Sequence, residues 1–182
     1  MLLSIIIPSK SIDAPDLKRL QASLSRQSFQ DFEVLVETSG NSEEAKAIAA
    51  SRAQGEILAF FCADNDLRDH DFLRTMVWYA RLPDVTGAYT AQYDYVPSDP
   101  ALNRYFALIG ANDPLCWWLG KADRRSYLHS VPHTTLTRFH RTIPSLGDNG
   151  CFLKHEVVSE VLRTTPAHLF GSCMCLCEDL RQ

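Results

Sequence analysis

The sequence predicts an α/β protein with a doubly wound, mostly parallel sheet that carries helices on both faces. Short apolar runs rich in β-branched residues alternate with segments whose apolar residues recur at helical spacing. This alternation is typical of parallel sheets that are covered on both sides. The chain has 182 residues, of which 46% are hydrophobic and 22% charged, which suits a globular protein with a real core. We therefore expect a single domain over residues 1–182, with a ligand-binding half (1–66) and a second half (67–182).

Strands are expected wherever an apolar run is short and ends at a turn residue. Residues 2–7 form such a run, which Pro8 ends, and its lack of polar alternation indicates a strand buried on both faces. The further strands are expected at residues 33–37, 57–61, 88–96 and 151–153. From residue 101 to 142 the periodicity is poor, and no regular element is predicted there.

Helices are expected where leucine, alanine or valine recurs every three or four residues. The first follows Asp13, a predicted N-cap, and has Pro15 in its first turn, where a missing N–H is tolerated. The second is expected to begin with Asn41 or Ser42 as its cap and to end near Gly55. Further helices are predicted at residues 69–82 and about 156–163.

The charge and the apolar pattern exclude several classes of protein. A net charge of −4 argues against a general nucleic-acid binder, because neutralising phosphates needs a basic surface. No apolar run approaches the roughly 20 residues that span a bilayer, and the apolar start is too short for a secretory signal and lacks basic residues. We therefore expect a cytoplasmic protein with reduced thiols, and we interpret Cys173, Cys175 and Cys177 as buried or inert.

Polar residues follow each of the first three strands, namely Pro8-Ser9, Glu37 and Asp64-Asn65-Asp66. Parallel α/β sheets bind ligands at the carboxyl ends of their strands. Asp64 and Asp66, one residue apart on an extended segment, would point to the same side, and such carboxylates suit Mg²⁺ or Mn²⁺ shared with substrate phosphates. The alternative is an ordinary turn, since Asp and Asn are common where a strand gives way to a helix.

The order of these segments resembles the family 2 glycosyltransferases. That family opens with a strand ending in Pro-Thr or Pro-Ser, and it continues with a helix ending in Ser-Leu-x-x-Gln and a strand ending in an acidic residue. An Ala-x-Gly-Glu-x-Ile-x-Phe-x-Asp-x-Asp segment follows. Here the helix ends Leu24-Ser25-Arg26-Gln27, and the last segment is Ala53-Gln54-Gly55-Glu56-Ile57-Leu58-Ala59-Phe60-Phe61-Cys62-Ala63-Asp64-Asn65-Asp66. The resemblance covers residues 1–80 and, more loosely, residues 147–156.

The resemblance implies a GT-A fold and the inverting transfer of a sugar from a nucleotide-diphosphate sugar to a saccharide or lipid-linked acceptor. Pro8 and Ser9 would lie by the nucleotide and Glu37 by its base or ribose. Asp66 would be the firmer ligand of Mg²⁺ or Mn²⁺, and Asp64 would face the ribose or diphosphate. A lipid-linked acceptor would make the protein a peripheral visitor to the inner face of the membrane.

Inversion needs a general base on the acceptor side. In the family this is a late acidic residue, often within a Glu-Asp pair, which implies Asp179 with its neighbour Glu178. The alternative for this pair is a solvated end of the chain.

Two other functions stay open at this stage. About fifteen residues separate Gly40 from Gly55, where the family usually has a further strand and helix, so this unit is missing or fused into one helix. The sequence also ends at Gln182, before a helix that the family usually has. Both departures favour a degenerate, non-catalytic binding module. A nucleotidyltransferase is the third reading, although the glycine-rich loop of those enzymes has no counterpart in Pro8-Ser9-Lys10-Ser11.

Overall fold

The computed structural model describes residues 1–89, 95–109 and 149–170. The described residues of 1–89 and 149–170 belong to one compact unit, and residues 95–109 belong to a second. The elements follow in the order β1 (Leu3–Pro8), α1 (Pro15–Ser25), β2 (Phe32–Glu37), α2 (Ser42–Arg52), β3 (Ile57–Phe60), α3 (Phe72–Ala80), β4 (Gly87–Tyr89), α4 (Ala101–Ile109), β5 (Cys151–Lys154), α5 (His155–Thr164) and a 3-10 turn (Ala167–Leu169).

The five strands form one sheet in the order β2-β1-β3-β5-β4. β1 pairs in parallel with β2 and β3, whereas β5 runs antiparallel to both of its neighbours, β3 and β4. The predicted α/β class and mostly parallel sheet are therefore confirmed, and the reversed β5 is a feature that the strand patterns do not predict.

The core lies on both faces of the sheet because alternate residues of the central strands point in opposite directions. On one face, leucines of α1 and apolar residues of α3 pack on β1 and β3. There Phe61, Phe72 and Phe152 contact one another, with ring centroids 5.8–6.3 Å apart. On the other face, Phe60 contacts Phe170, 6.1 Å between ring centroids, and α2 packs on β1 and near α5. Helices thus cover both faces.

Of the predicted helix caps at Asn41 and Asp13, the first is confirmed and the second is wrong. Asn41 caps α2 with a full capping box, in which its side chain accepts from the backbone of Glu44 while the Glu44 carboxylate accepts from the Asn41 N–H. Asp13 does not cap α1. Ala14 takes that position because Pro15, at the first helical position, holds the preceding residue extended, and Asp13 forms an exposed ion pair with Lys18 instead, 3.1 Å.

Two further expectations concern the interval between Gly40 and Gly55 and the segment that begins at residue 101. A single helix, α2, fills the interval between Gly40 and Gly55. Helix α4 occupies Ala101–Ile109, where no regular element is predicted. It is nine residues long, the same length as α3, whose period is recognisable in the sequence, so the length of α4 does not explain why it was missed.

The strand predicted at residues 88–96 is described only as β4, Gly87–Tyr89, because residues 90–94 lie outside the described ranges. Among the helices of those ranges, none is both long enough and apolar enough to cross a bilayer.

Candidate active site

The carboxyl ends of β1, β2 and β3 place the predicted nucleotide-side residues at one edge of the sheet. Pro8 pairs with Glu37 in the β1–β2 register, and one residue further on, the Ser9 N–H donates to the Glu37 carbonyl, 2.9 Å. β1 lies between β2 and β3, so Ser9 lies between the strand that ends in Glu37 and the strand that leads to Asp64. The structure therefore brings Pro8, Ser9 and Glu37 together, with the acidic residues after β3 at the same edge.

Glu37 is held ionised by a dense set of donors. Its Oε1 accepts from the Ser39 hydroxyl at 2.7 Å and from the backbone N–H groups of Thr38 and Ser39 at 3.0 Å each. Its Oε2 accepts from Arg52 at 2.6 Å. These contacts, led by the Ser39 hydroxyl, lower the pKa of Glu37 from 4.5 to about 2. A carboxylate so fixed is pre-oriented to accept hydrogen bonds from a ligand through its remaining lone pairs.

The acidic residues after β3 form a tight, solvent-facing turn. The Asn65 N–H donates to the Cys62 carbonyl, 3.1 Å, and both Asp64 and Asp66 are exposed. Arg68 lies 3.8 Å from Asp66, a loose ion pair, and Arg19 donates to the carbonyl oxygen of Asp64, 3.2 Å. Among the described contacts of this turn, only Arg68 forms an ion pair with an aspartate side chain, and its distance of 3.8 Å makes that pair weak.

The donor set of this turn fits a divalent metal that is shared with a substrate. Within the described ranges there is no cluster of three or more His, Cys, Asp and Glu side chains that could hold a metal. Mg²⁺ in particular is usually bound by one or two carboxylates together with substrate phosphates rather than by a complete protein cage. Asp64 and Asp66 provide that kind of incomplete set, two hard oxygen donors open to solvent.

Helix α1 and the turn after it hydrogen-bond to the segment that follows the acidic turn. Sequence reasoning did not predict the residues that form these bonds. Ser23 is fully buried, and its hydroxyl accepts from the Leu67 N–H at 3.2 Å. Gln27 is 4% exposed, donates to the Asp69 carbonyl at 2.6 Å and accepts from the Leu73 N–H at 3.0 Å. These are the Ser and Gln of the Ser-Leu-x-x-Gln pattern, so the spacing was visible, but its structural purpose was not.

Asn149 connects the same turn to β5. Its Oδ1 accepts from the Cys62 N–H at 3.0 Å, and the next residue, Gly150, donates its N–H to the Phe60 carbonyl at 2.8 Å. Gly150 has a φ of +72°, a conformation that glycine adopts at little cost. Residues 149–150 therefore fix where β3 ends and where the acidic turn begins.

The Gly55-Glu56 part of the family pattern lies at the opposite end of the strands, where β1 and β3 begin. Gly55 precedes β3, and its N–H donates to the buried Ser4 hydroxyl at 2.8 Å. Ser4 in turn donates to Glu33 at 2.6 Å, and the Gly55 carbonyl lies 2.7 Å from Nδ1 of His155. The Gly-Glu part of the pattern thus ties β3 to β1 and α5, far along the strand from the aspartates.

Two surface depressions, of about 400 and 470 Å³, also lie where the strands begin. The first lies between the start of β1 and α3, at Leu2 and Trp78, and the second between α3 and α5, at Arg81 and Lys154. Neither is lined by the residues predicted to bind a nucleotide.

Several predicted residues lie outside the described ranges. They include the implied base Asp179 with Glu178, and the three alternating cysteines Cys173, Cys175 and Cys177. Their assignments stay predictions.

No family model matches the chain, and no curated protein sequence is significantly similar to it. Solved structures do resemble it. A crystal structure of residues 1–349 of S. aureus TarS has a TM-score of 0.59 at 16% identity, over 93% of this chain and 51% of that one. The same protein in complex with UDP has a TM-score of 0.55 at 14% identity, over 94% and 52%. A longer TarS structure has a TM-score of 0.60 at 14% identity, over 100% and 34%.

The chain therefore spans about half of the first two structures, or a third of the longer one. TarS is a glycosyltransferase, and at such low identity the likeness concerns the fold, which is glycosyltransferase-like. It does not identify family 2 specifically.

Proposed function

We propose that this protein transfers a sugar from a nucleotide-diphosphate sugar to a saccharide or lipid-linked acceptor, with inversion at the anomeric carbon. The observation that carries the proposal is the exposed Asp64-Asn65-Asp66 turn at the carboxyl edge of β3, beside Ser9 and Glu37, in a glycosyltransferase-like fold. The fold neighbour TarS has been crystallised with UDP, so a uridine nucleotide is the first donor to test.

Each residue at this edge has a proposed role that follows from its chemistry. Glu37, fixed and ionised, would accept hydrogen bonds from the ribose or base. Asp66, with Asp64, would bind Mg²⁺ or Mn²⁺. The bound metal would neutralise the diphosphate and make it a better leaving group. Ser9 and Pro8 would line the nucleotide between the two carboxylate positions.

The acceptor hydroxyl must lose a proton as its oxygen attacks the sugar. We assign this role to Asp179, with Glu178 beside it, on the resemblance to family 2 alone. Replacing Asp179 with asparagine should then abolish transfer while leaving donor binding intact, which separates the base from the metal ligands.

A thermal-shift titration tests the donor side directly. A ligand that binds only the folded protein stabilises it, by about 2.7 kcal/mol at a hundred times its dissociation constant. We expect UDP with Mn²⁺ to raise the melting temperature by several degrees, and Asp66→Asn to remove most of that rise.

Asp31→Asn is the matched control, because Asp31 is an exposed aspartate before β2, at the other edge of the sheet. It should keep the full shift. A wild-type protein that shows no shift with any nucleoside diphosphate and metal would contradict the proposal.

The second candidate, a nucleotide-binding module without transfer activity, is favoured by the single helix α2 between Gly40 and Gly55. Both candidates predict nucleotide binding, so turnover distinguishes them. Release of UDP from a UDP-sugar, accelerated by acceptor and dependent on Asp66, would support the transferase. Tight binding without release would support the module.

A further inference from the structure

Polar residues of helix α1 and of the turn that follows it contact the same segment of the chain. We define the α1 clamp as Arg19, Ser23, Gln27 and the next residue, Ser28, all of which bond to the segment 64–73 that contains the acidic turn. We propose that the clamp sets the position of Asp64 and Asp66, and that Ser23 and Gln27 are positioning residues for the metal and diphosphate. This inference rests on the proposed function and extends it to residues that contact neither ligand.

The burial of Ser23 and Gln27 is the first argument. They are two of the four buried polar or charged residues of the described chain. Ser23 lies in α1 beside Leu20 and Leu24, which pack in the core, and Gln27 lies two residues beyond the end of α1. Burying a polar group is unfavourable unless it is hydrogen-bonded. These two residues are hydrogen-bonded to the 64–73 backbone.

The spread of the contacts is the second argument. Gln27 contacts the segment at two places, since it donates to Asp69 and accepts from Leu73. The Ser28 N–H adds a bond to the His70 carbonyl at 2.9 Å, and the Ser28 hydroxyl donates to the Asp71 carboxylate. Contacts along its whole length restrain the segment as a unit rather than at one point.

The route from the clamp to the carboxylates is short. Ser23 holds Leu67, the residue directly after Asp66, and Arg19 holds the carbonyl of Asp64. Asp64 therefore carries one anchored backbone group, and Asp66 lies between that group and the anchored N–H of Leu67. The apparent affinity for the metal is proportional to the fraction of molecules in which the segment has this conformation.

A comparison of two serines on the same helix tests the proposal. Ser23 and Ser25 each donate to a carbonyl three residues earlier, at 2.8 and 2.9 Å. Ser25 is exposed, and no contact with the 64–73 segment is described for it. Ser23→Ala and Ser25→Ala thus remove the same group with the same local bond, and differ in the contact with Leu67.

The readout is the dissociation constant of Mn²⁺, measured on the full chain by electron paramagnetic resonance at saturating UDP. We expect Ser23→Ala to raise this constant about tenfold, because the loss of the hydrogen bond from the part-buried Leu67 N–H lowers the population of the anchored conformation by about that factor. Ser25→Ala should leave it unchanged. UDP binding without metal should be the same in both variants, which a general loss of folding would not produce.

Gln27→Leu removes both of its contacts at once and should weaken Mn²⁺ binding further, provided that circular dichroism shows a folded protein. If it does not fold, the Ser23 and Ser25 pair still decides the question. Equal Mn²⁺ constants for folded Ser23→Ala and wild type would overturn the positioning role while leaving the proposed function intact. A wild-type chain that binds neither UDP nor Mn²⁺ would overturn both.

Discussion

Replacing Gly55 with alanine should strongly destabilise the fold without altering the nucleotide edge. A Cβ at this position would lie 2.5 Å from the Ser4 nitrogen, 2.7 Å from the Leu3 carbonyl carbon and 2.8 Å from the Ser4 hydroxyl. Two of these atoms belong to the backbone of β1, an interior strand paired on both sides, so they cannot move aside like the end of a flexible side chain.

The size of the effect follows from two terms. Forcing an extra methyl into a packed site costs about 1–3 kcal/mol, and displacing Gly55 from the Ser4 hydroxyl leaves a buried N–H unbonded, about 1–3 kcal/mol more. The lower entropy of the unfolded alanine chain offsets about 0.4–1 kcal/mol when the folded conformation is compatible. We expect a net loss of about 3 kcal/mol.

Urea unfolding measures this loss as a lower midpoint with an unchanged slope. Gly40→Ala is the comparison, because its added Cβ would collide with Oε2 of Glu44, the end of a side chain that can turn away at the cost of its capping bond to Asn41. The φ of +70° and the loss of that bond make Gly40→Ala destabilising by about 1–2 kcal/mol. If Gly55→Ala were no more destabilising than Gly40→Ala, the structural role of the Gly-Glu pair would be refuted.

The remaining predictions concern Glu37 and Asn149. Ser39→Ala should raise the pKa of Glu37 from about 2 towards 4.5, since the Ser39 hydroxyl is the main cause of its depression. NMR titration of the Glu37 carboxyl carbon measures this pKa. An unchanged titration midpoint would contradict the role given to the Ser39 hydroxyl. Because the folded pKa is the lower one, the stability that Glu37 contributes is present above about pH 4.5 and is lost as the pH falls towards 2. Acid unfolding of the wild type should therefore show this loss, and Ser39→Ala should show less of it over the same range. Asn149→Ala should destabilise the fold by about 1–2 kcal/mol, because the part-buried acceptor of the Cys62 N–H is lost. Asn149→Asp keeps an acceptor and should lose less stability, as thermal melts would show.

The fold was predictable where a local pattern and the tertiary structure agree. β1 and β3 are short apolar runs, and α2 has a complete capping box at Asn41, so each element is specified by its own residues. Asp13 shows where local reasoning fails, because Pro15 moved the helix start by one residue. The antiparallel β5 was not predictable, since a four-residue strand of three apolar residues and a lysine has no signal for its direction or its neighbours.

The candidate site was predictable at the level of strand ends and no further. Parallel topology alone brings Ser9, Glu37 and Asp64 to one edge. The Ser-Leu-x-x-Gln spacing of Ser23 and Gln27 was recognisable, but their burial depends on how α1 and the turn after it dock against the 64–73 segment, which the spacing does not encode. Only the three-dimensional contacts distinguish the serine that holds Leu67 from Ser25, two residues later, which does not.

The strand order has a consequence for how the protein is made. β4 hydrogen-bonds only to β5 among the described strands, and β5 also covers the free side of β3. A ribosome therefore completes residues 90–150 before β5 emerges, while β3 presents an unpaired edge and residues 87–89 have no strand to join. Exposed strand edges are templates for pairing with other chains. In this interval the uncovered side of β3 is such a template, and the arrival of residues 151–154 covers it and gives β4 its described neighbour.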